Sequence, residues 1–233
     1  MRVAALGDRD PAFLTHREID AALELIAEGV ECSWVATDSD AARELDAVDG
    51  VWLLPGTPYR DDGAAHAAIR HCLRTGTPFL GTCGGFQYAC VELARTTRSA
   101  HAPAHAETDP GGEELVIVPL ACSLYGEWRT VRPLAGTRLA SICGAEPFEG
   151  FHFCGYGLAE PYATKLAAAG VILAASAQDA GTEAIELLEH PFFIATAFQP
   201  QVGCSETQRL HPLISAFLAA AAARAASRVR RQP

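Results

Sequence analysis

The sequence of residues 78–89 is PFLGTCGGFQYA, an apolar run that enters a group of glycines and then a helix-forming stretch. Cys83 lies at its centre, in a Gly-x-Cys-x-Gly arrangement with Gly81 and Gly85. Small residues on both sides permit a sharp strand-to-helix corner that holds a nucleophile in a strained conformation. A thiol at such a corner lies at a helix N-terminus, where the helix dipole and free N–H groups stabilise a thiolate. The stretch therefore predicts a catalytic cysteine; a buried structural cysteine beside a tight turn is the alternative.

Strand and helix patterns alternate on both sides of this corner. In the first half we predict strands at 3–6, 30–37, 50–54 and before Cys83, and helices at 15–27, 41–45, 64–74 and from Cys83 through 94. In the second half we predict strands at 114–120, 130–132, 148–158, 171–175, 184–188 and 192–198, and helices at 161–169 and 211–228. This alternation predicts an α/β fold with a mostly parallel central sheet covered on both faces. No repeat or linker divides the chain, so we expect one domain over residues 1–233.

The bulk composition excludes several classes of function. A formal charge of −10 over 233 residues argues against nucleic-acid binding, which needs a basic surface. The chain has no run of eighteen apolar residues, so we expect no membrane span, and its N-terminus does not resemble a signal peptide. Eight scattered cysteines without a Cys-x-x-Cys pair then favour reduced thiols in a cytoplasmic protein.

Several segments together resemble the class I glutamine amidotransferases, and in particular the C-terminal glutaminase domain of CTP synthase. They are LLPG at 53–56, GTCGGFQ at 81–87, ELLEHPFF at 186–193, FQPQ at 198–201 and HPL at 211–213. The chain is also similar to stand-alone proteins related to the CTP synthase C-terminal region. The resemblance covers nearly the whole chain and implies a flavodoxin-like three-layer sandwich of the glutamine amidotransferase type.

The resemblance implies that Cys83 attacks a glutamine side-chain amide while a histidine, held by a glutamate, moves the proton. The family places these two residues as His-Pro-Glu after a buried strand, where this chain has Gln199 and Gln201 around a proline. Neither glutamine can accept and return a proton near pH 7, so the triad is degenerate. We predict that His152 replaces the base, because its strand borders the pocket in the family. The alternative is a histidine satisfied in the core or at the rim.

The resemblance also implies a partly retained substrate pocket. Gln87 corresponds to a ligand contact, and Glu107 to the carboxylate that holds the α-amino group of glutamine. Oxyanion donors are expected from Gly56, Thr57 and the backbone N–H of Gly84. The family's arginine that clamps the α-carboxylate has no counterpart in FHFCGYGL at 151–158, so one charge-assisted pairing is lost.

Other cysteines and histidines yield weaker expectations. Cys122 and Cys154 are candidate auxiliary thiols for Cys83, and buried small hydrophobic residues are the alternative. His101 and His105 have the spacing of a helical metal site, but the intervening Pro103 argues against a regular helix. We therefore expect no metal and no cofactor.

Three functions remain open from the sequence. The first is a cysteine-dependent hydrolase or transferase acting on a glutamine-like amide or acyl substrate. The second is a non-catalytic module that binds an amino-acid-like ligand or a protein partner, and the third is a thiol redox protein. The chain has no Gly-x-x-x-x-Gly-Lys loop and a single lysine, Lys165, so ATP-dependent CTP synthesis by this chain alone is not expected. Candidate partners are a separate synthetase or a second copy of the chain.

Overall fold

A computed structural model describes residues 1–97 and 102–231 of the chain. Nine strands form one sheet in the order β2-β1-β3-β4-β12-β11-β10-β7-β8, and β5, β6 and β9 form a second. The strand bounds are β1 (Arg2–Leu6), β2 (Glu31–Val35), β3 (Gly50–Leu53), β4 (Phe79–Thr82), β5 (Pro103–His105), β6 (Glu114–Pro119), β7 (Glu127–Pro133), β8 (Phe148–His152), β9 (Tyr156–Leu158), β10 (Ile172–Ala177), β11 (Gly181–Glu186) and β12 (Phe193–Thr196).

Helices cover both faces of the large sheet. Their bounds are α1 (Leu14–Glu24), α2 (Asp62–Thr75), α3 (Gly84–Ala94), α4 (Arg138–Cys143), α5 (Glu160–Ala168), α6 (Cys204–Thr207) and α7 (Pro212–Arg231). Because side chains alternate along a strand, β1 sends Ala4 and Leu6 to a core shared with α2, α3 and α5, and Val3 and Ala5 to one shared with α1, α4 and α7. The predicted three-layer α/β fold is confirmed.

The prediction of a mostly parallel sheet is wrong for half of the strand pairs. The pairs β2–β1, β1–β3, β3–β4 and β4–β12 are parallel, whereas β12–β11, β11–β10, β10–β7 and β7–β8 are antiparallel. Parallel neighbours need a long crossover, usually a helix, and a short turn produces antiparallel neighbours. Only residues 178–180 separate β10 from β11, so this connection is a hairpin.

The predicted strand at 148–158 is broken in the middle. Its first part, β8, pairs with β7 in the large sheet, and its second part, β9, pairs with β6 in the small one. Between them the carbonyls of Cys154 and Gly155 accept hydrogen bonds from the N–H groups of Leu124 and Leu120, at 3.0 and 2.8 Å. These bonds fix a turn at residues 153–155, which passes the end of β4.

Three short elements have no counterpart among the predictions: β5, α4 and α6. Their lengths of three, six and four residues are too short for a period of 2 or 3.6 residues to be visible. The predicted helix at 41–45 consists of two 3₁₀ turns, at Asp40–Arg43 and Leu45–Ala47. Within residues 1–97 and 102–231, no helix has the length and apolar character needed to cross a membrane.

The connection from β4 to α3 is as sharp as the sequence pattern predicts. Cys83 has φ +53° and ψ −105°, a conformation that costs a non-glycine residue free energy. Immediately after it, a Cβ atom at Gly85 would lie 2.3 Å from the carbonyl oxygen of Leu53 in β3. Only glycine at position 85 therefore lets α3 begin so close to the neighbouring strand.

Replacing Gly85 by alanine should destabilise the protein by about 3 kcal/mol or more, because a backbone atom blocks the added methyl group and the helix must shift. The matched control is Gly111→Ala, at a position with open space around it, which should change stability by less than about 0.5 kcal/mol. Urea denaturation midpoints of the two variants measure the difference. Equal midpoints would contradict the proposed close approach of α3 to β3.

Candidate active site

A cavity of about 440 Å³ opens at the carboxyl ends of β1, β3 and β4. Loops that follow parallel strands meet at this edge, which is where open α/β sheets bind ligands. The residues around the cavity are Asp8, Arg9, Asp10, Phe13, Thr15, His16, Pro55, Gly56, Thr57, Pro58, Arg60, Cys83, Gln87, Glu107, Tyr125, Phe153, Cys154, Gly155, Tyr156 and Gln199. Most of the predicted site residues are therefore brought together.

Cys83 lies at the floor of the cavity. Its backbone N–H donates to the carbonyl of Thr196 in β12 at 2.8 Å, which fixes the corner against the neighbouring strand. The backbone N–H of Gly84 hydrogen-bonds the sulfur and favours its thiolate form. The sulfur also lies 3.9 Å from the carbonyl oxygen of Phe153, in the turn at 153–155.

The residue after Phe153 supplies a second thiol beside the first. Hydrogen bonding between the thiols of Cys83 and Cys154, together with burial, raises the pKa of Cys83 well above its usual value. The same hydrogen bond, followed by the positive charge of His152, lowers the pKa of Cys154. The two thiols therefore titrate as a pair in which loss of one proton makes loss of the second harder, and the charge of His152 favours the first negative charge on Cys154.

His152 lies behind Cys154, fully buried, and outside the set of residues that line the cavity. Its Nε2 lies 2.9 Å from both carboxylate oxygens of Glu183 in β11, and its Nδ1 lies 3.0 Å from the carbonyl oxygen of Gly150. Burial lowers the pKa of His152, but the hydrogen bond and charge of Glu183 outweigh it, so the net pKa is raised. With acceptors at both nitrogens, the ring is a cation held in place beside Cys154.

One histidine, His16, lines the cavity among the described residues, and both of its nitrogens are occupied as well. Its Nδ1 accepts from the backbone N–H of Asp10 at 2.9 Å, and its Nε2 donates to the carbonyl of Pro55 at 3.1 Å. Burial lowers its pKa, which keeps the ring neutral. Neither His16 nor His152 thus has a free nitrogen facing Cys83.

The two glutamines at the positions where the resemblance implies a histidine and a glutamate hydrogen-bond each other. The Gln201 amide N–H donates to the Gln199 side-chain oxygen at 2.8 Å, and both side chains are buried. Gln199 reaches the cavity with Cys83, while the oxygen of Gln201 has no hydrogen-bond partner in the described part of the chain. A neutral amide pair therefore occupies the segment after β12 and leaves it without a titratable group.

Gln87 and Glu107 lie side by side at the rear of the cavity. The Gln87 amide donates to the carbonyl of Tyr156 at 3.0 Å, and its oxygen lies 3.0 Å from Nε2 of His105. His105 accepts the backbone N–H of Glu107 at 3.1 Å, so its Nε2 carries the proton. One carboxylate oxygen of Glu107 is buried without a hydrogen-bond partner among the described residues. An unpaired carboxylate in a cavity favours a cationic group on the ligand.

The residues predicted to bind an oxyanion surround the corner. Gly56 has φ +125° and, like Thr57, follows the end of β3 and lines the cavity. A Cβ atom at Gly84 would lie 2.6 Å from the side chain of Thr57, so this loop packs directly on the start of α3. Gly56, Thr57 and Gly84 therefore lie within one small region around the Cys83 sulfur.

The sequence did not indicate the cations and aromatic rings at the cavity mouth. Arg9 is paired with Asp20 at 2.8 Å, whereas the guanidinium of Arg60 is largely exposed and lies 3.9 Å from the carboxylate of Asp38. The rings of Tyr125 and Phe153 have centroids 5.1 Å apart, and those of Phe13 and Phe153 are 6.2 Å apart. These residues come from four separated segments, and only the position of Arg60 just after the oxyanion loop is a usable signal.

Besides Gly84, His152 and Gln201, a further predicted residue, Cys122, does not line the cavity. Cys122 is exposed and is not among the residues lining it. His101 lies outside the described residues, and His105 is buried on Gln87 rather than exposed in a loop. No group of three metal-ligating side chains occurs in residues 1–97 and 102–231.

Comparison with known proteins places this geometry in a family. Residues 19–130 match the family model described as glutamine amidotransferase class-I. CTP synthase of Rubrobacter xylanophilus is 34% identical over 207 residues, which cover 82% of this chain and 37% of that protein. CTP synthase of Staphylococcus aureus is 28% identical over 213 residues, 83% of this chain and 39% of that protein. The chain thus spans less than two fifths of these relatives.

Solved structures show the same fold. The glutaminase domain of Trypanosoma brucei CTPS, solved with bound acivicin, superposes with a TM-score of 0.82 at 20% identity, covering 95% of this chain and 93% of that one. A glutamine amidotransferase from Thermotoga maritima superposes with a TM-score of 0.58 at 14% identity, covering 94% and 82%.

The neutral His105 should make the protein sensitive to acid. Burial lowers its pKa to about 4, whereas an unfolded histidine titrates near 6.5. Between these pH values the histidine is protonated in the unfolded chain and neutral in the folded chain. The free energy of unfolding should therefore fall by up to about 3 kcal/mol as the pH drops from about 6.5 to 4. Unfolding free energies of wild type and His105→Asn across this range provide the test. The free energy of unfolding of the variant should change less with pH than that of wild type. Equal pH dependence in the two proteins would contradict the assignment of a neutral His105.

Proposed function

Because the chain belongs to the class I glutamine amidotransferase family, we propose that it is a cysteine-dependent hydrolase or transferase in which Cys83 attacks a glutamine-like amide or related acyl group. The observation that carries this proposal is the position of the Cys83 thiol. It lies at a strained helix N-terminus, faces a cavity of about 440 Å³ and is paired with a second thiol. A structural cysteine requires none of these three features.

In this proposal Cys154 moves the proton that a histidine moves in a complete triad. The Cys154 thiolate accepts the proton of Cys83, and the Cys83 sulfur then attacks the carbonyl carbon of the substrate. The developing oxyanion is received by the N–H of Gly84 and by the loop at Gly56 and Thr57. The Cys154 thiol returns its proton to the departing group as the bond from carbon to that group breaks, and water later releases the acyl group from Cys83.

His152 then acts as a positioning residue and not as the base itself. Its ring nitrogens are occupied by Glu183 and Gly150, so it has no lone pair to offer Cys83. Its contribution is a fixed positive charge that lowers the pKa of Cys154. The pair of His152 with Glu183 stabilises that charge inside the protein, where an isolated cation would be costly.

The ends of the substrate would be held by groups of opposite charge. The unpaired carboxylate of Glu107 suits an α-ammonium group. The guanidinium of Arg60 at the cavity mouth is weakly paired. It would bind an α-carboxylate in place of the arginine that the family uses. A glutamine-like or γ-glutamyl compound carries both groups, and the remaining cavity volume leaves room for a larger substituent on the leaving side.

The amide pair of Gln199 and Gln201 favours a second candidate, a non-catalytic module that binds an amino-acid-like ligand or a partner. Members of this family act with a synthetase domain or subunit. A separate synthetase would therefore be the partner of this chain under either function. The two candidates differ in whether Cys83 is needed for turnover or only occupies the ligand pocket.

The first test is release of glutamate from L-glutamine and from a γ-glutamyl thioester by the full chain. We expect Cys83→Ala to abolish both activities. Cys154→Ala should lower amide turnover by about 10²–10⁴-fold and thioester turnover much less, because a thiolate leaves without a proton. Cys122→Ala, which changes an exposed thiol outside the cavity, is the matched control. Absence of any Cys83-dependent release would instead support the binding module.

The second test restores the family's dyad. The Gln201 amide already donates to Gln199 at 2.8 Å, so the double variant Gln199→His, Gln201→Glu would hold an imidazole on a carboxylate in the same place. We expect glutamate release from L-glutamine to rise at least about tenfold, and to become insensitive to Cys154→Ala. Turnover of the single variant Gln201→Glu should not rise, because this variant adds a carboxylate outside the cavity lining but no imidazole beside Cys83. Unchanged turnover in the double variant would contradict the proposal that only the proton carrier has been lost.

A further inference from the structure

Cys83 and Cys154 differ from the other cysteines of the chain in both location and ionisation. They are the two cysteines that line the cavity among the described residues. Burial raises the pKa of Cys32 to about 12 and that of Cys143 to about 11, and it also raises the pKa values of Cys72, Cys90 and Cys204. Cys154 alone has a pKa lowered from the ordinary value. The thiol with the lowered pKa thus lies beside a second thiol, in a cavity that both side chains line.

The backbone holds these two thiols together. Cys83 is fixed by the strained corner and by its hydrogen bond to Thr196, while the turn at 153–155 is fixed by Leu120 and Leu124. The Cys83 sulfur lies 3.9 Å from the carbonyl oxygen of Phe153, the residue that immediately precedes Cys154. Cys154 lines the same cavity as Cys83, and each thiol shifts the pKa of the other. The two thiols are therefore neighbours in one cavity, which a bond between them requires.

We propose that Cys83 and Cys154 form a reversible disulfide when the protein meets a hydroperoxide, so that the cavity is a redox-modification site. The inference does not depend on acyl chemistry at Cys83. It requires a thiolate, a resolving thiol within reach and access for a small oxidant, and the cavity supplies all three.

The reaction with hydrogen peroxide balances in two steps. The Cys154 thiolate attacks one peroxide oxygen, the O–O bond breaks, and the products are a Cys154 sulfenic acid and hydroxide. The Cys83 sulfur then attacks the Cys154 sulfur. The S–S bond forms as the S–O bond breaks, and the departing hydroxide leaves with the Cys83 proton as water. Two electrons pass from the two sulfurs to peroxide, and a small dithiol reductant restores both thiols by thiol–disulfide exchange.

The disulfide would remove Cys83 from any acyl transfer. A sulfur bonded to Cys154 cannot attack a carbonyl carbon, and Cys154 cannot carry a proton while it is oxidised. If the proposed function holds, peroxide would stop turnover until a reductant is supplied. If Cys83 only binds a ligand, the disulfide still forms and closes the floor of the cavity.

The experiment treats the reduced full chain with a small excess of hydrogen peroxide, quenches in acid, denatures the protein and blocks remaining thiols with N-ethylmaleimide. Peptide mass spectrometry then identifies the linked pair. We expect a Cys83–Cys154 crosslink that disappears after dithiothreitol, with the exposed Cys122 still blocked by the maleimide in the same sample. No acyl substrate is present, so the result is independent of the proposed function.

Three variants complete the test. Cys122→Ala should leave the crosslink unchanged, and Cys154→Ala should abolish it without linking Cys83 to another cysteine. Cys83→Ser, which keeps a hydrogen-bond donor beside Cys154 but removes the resolving thiol, should leave Cys154 as a sulfenic acid, detected with a dimedone probe. Recovery of both Cys83 and Cys154 as maleimide adducts from oxidised wild type would overturn the proposal. A crosslink between Cys83 and Cys122 would overturn it as well.

Discussion

The hydrogen bond from the Cys83 N–H to the Thr196 carbonyl, 2.8 Å long, joins the two strands on which the site depends. One strand, β4, ends at the nucleophile, and the other, β12, continues to Gln199 and Gln201. This bond fixes the ends of β4 and β12 relative to each other. It therefore fixes which residues of the following loops meet at the cavity floor. It also lies at the last parallel pair of the sheet, where the antiparallel half starts.

With these two strands fixed in place, the segment after β12 presents two neutral amides to the site. Gln201 donates to Gln199 in a buried position, so the amides satisfy part of each other's hydrogen-bonding capacity. Charged groups lie elsewhere in the site, where the ring of His152 is held by Glu183 beside Cys154. A buried cation of this kind is tolerable only because its partner is also buried and in contact.

The sequence predicted the nucleophile corner and most strands and helices correctly, because both depend on local patterns. Small residues around Cys83 permit only a tight turn, and apolar periodicity marks each long element. The antiparallel half was not predicted, because strand direction follows from connections such as the hairpin at 178–180 and not from the composition of each strand. The pairing of His152 with Glu183 joins residues 31 positions apart, and no local pattern announces it. The aromatic rings at the mouth were missed for the same reason, whereas Arg60 could have been found from its position just after the loop at Gly56 and Thr57.

The break between β8 and β9 separates two properties of the site into two parts of the fold. The parallel half positions Cys83 at the end of β4 and the loop of Gly56 and Thr57 after β3. The antiparallel half fixes the charge on the second sulfur, through β8, the turn at 153–155 and Glu183 in β11. Substitutions in β8 or β11 can therefore change the proton affinity of Cys154 while Cys83 keeps its position. The ionisation of the second thiol can therefore change during evolution through the antiparallel half of the sheet, while the parallel half keeps the position of Cys83.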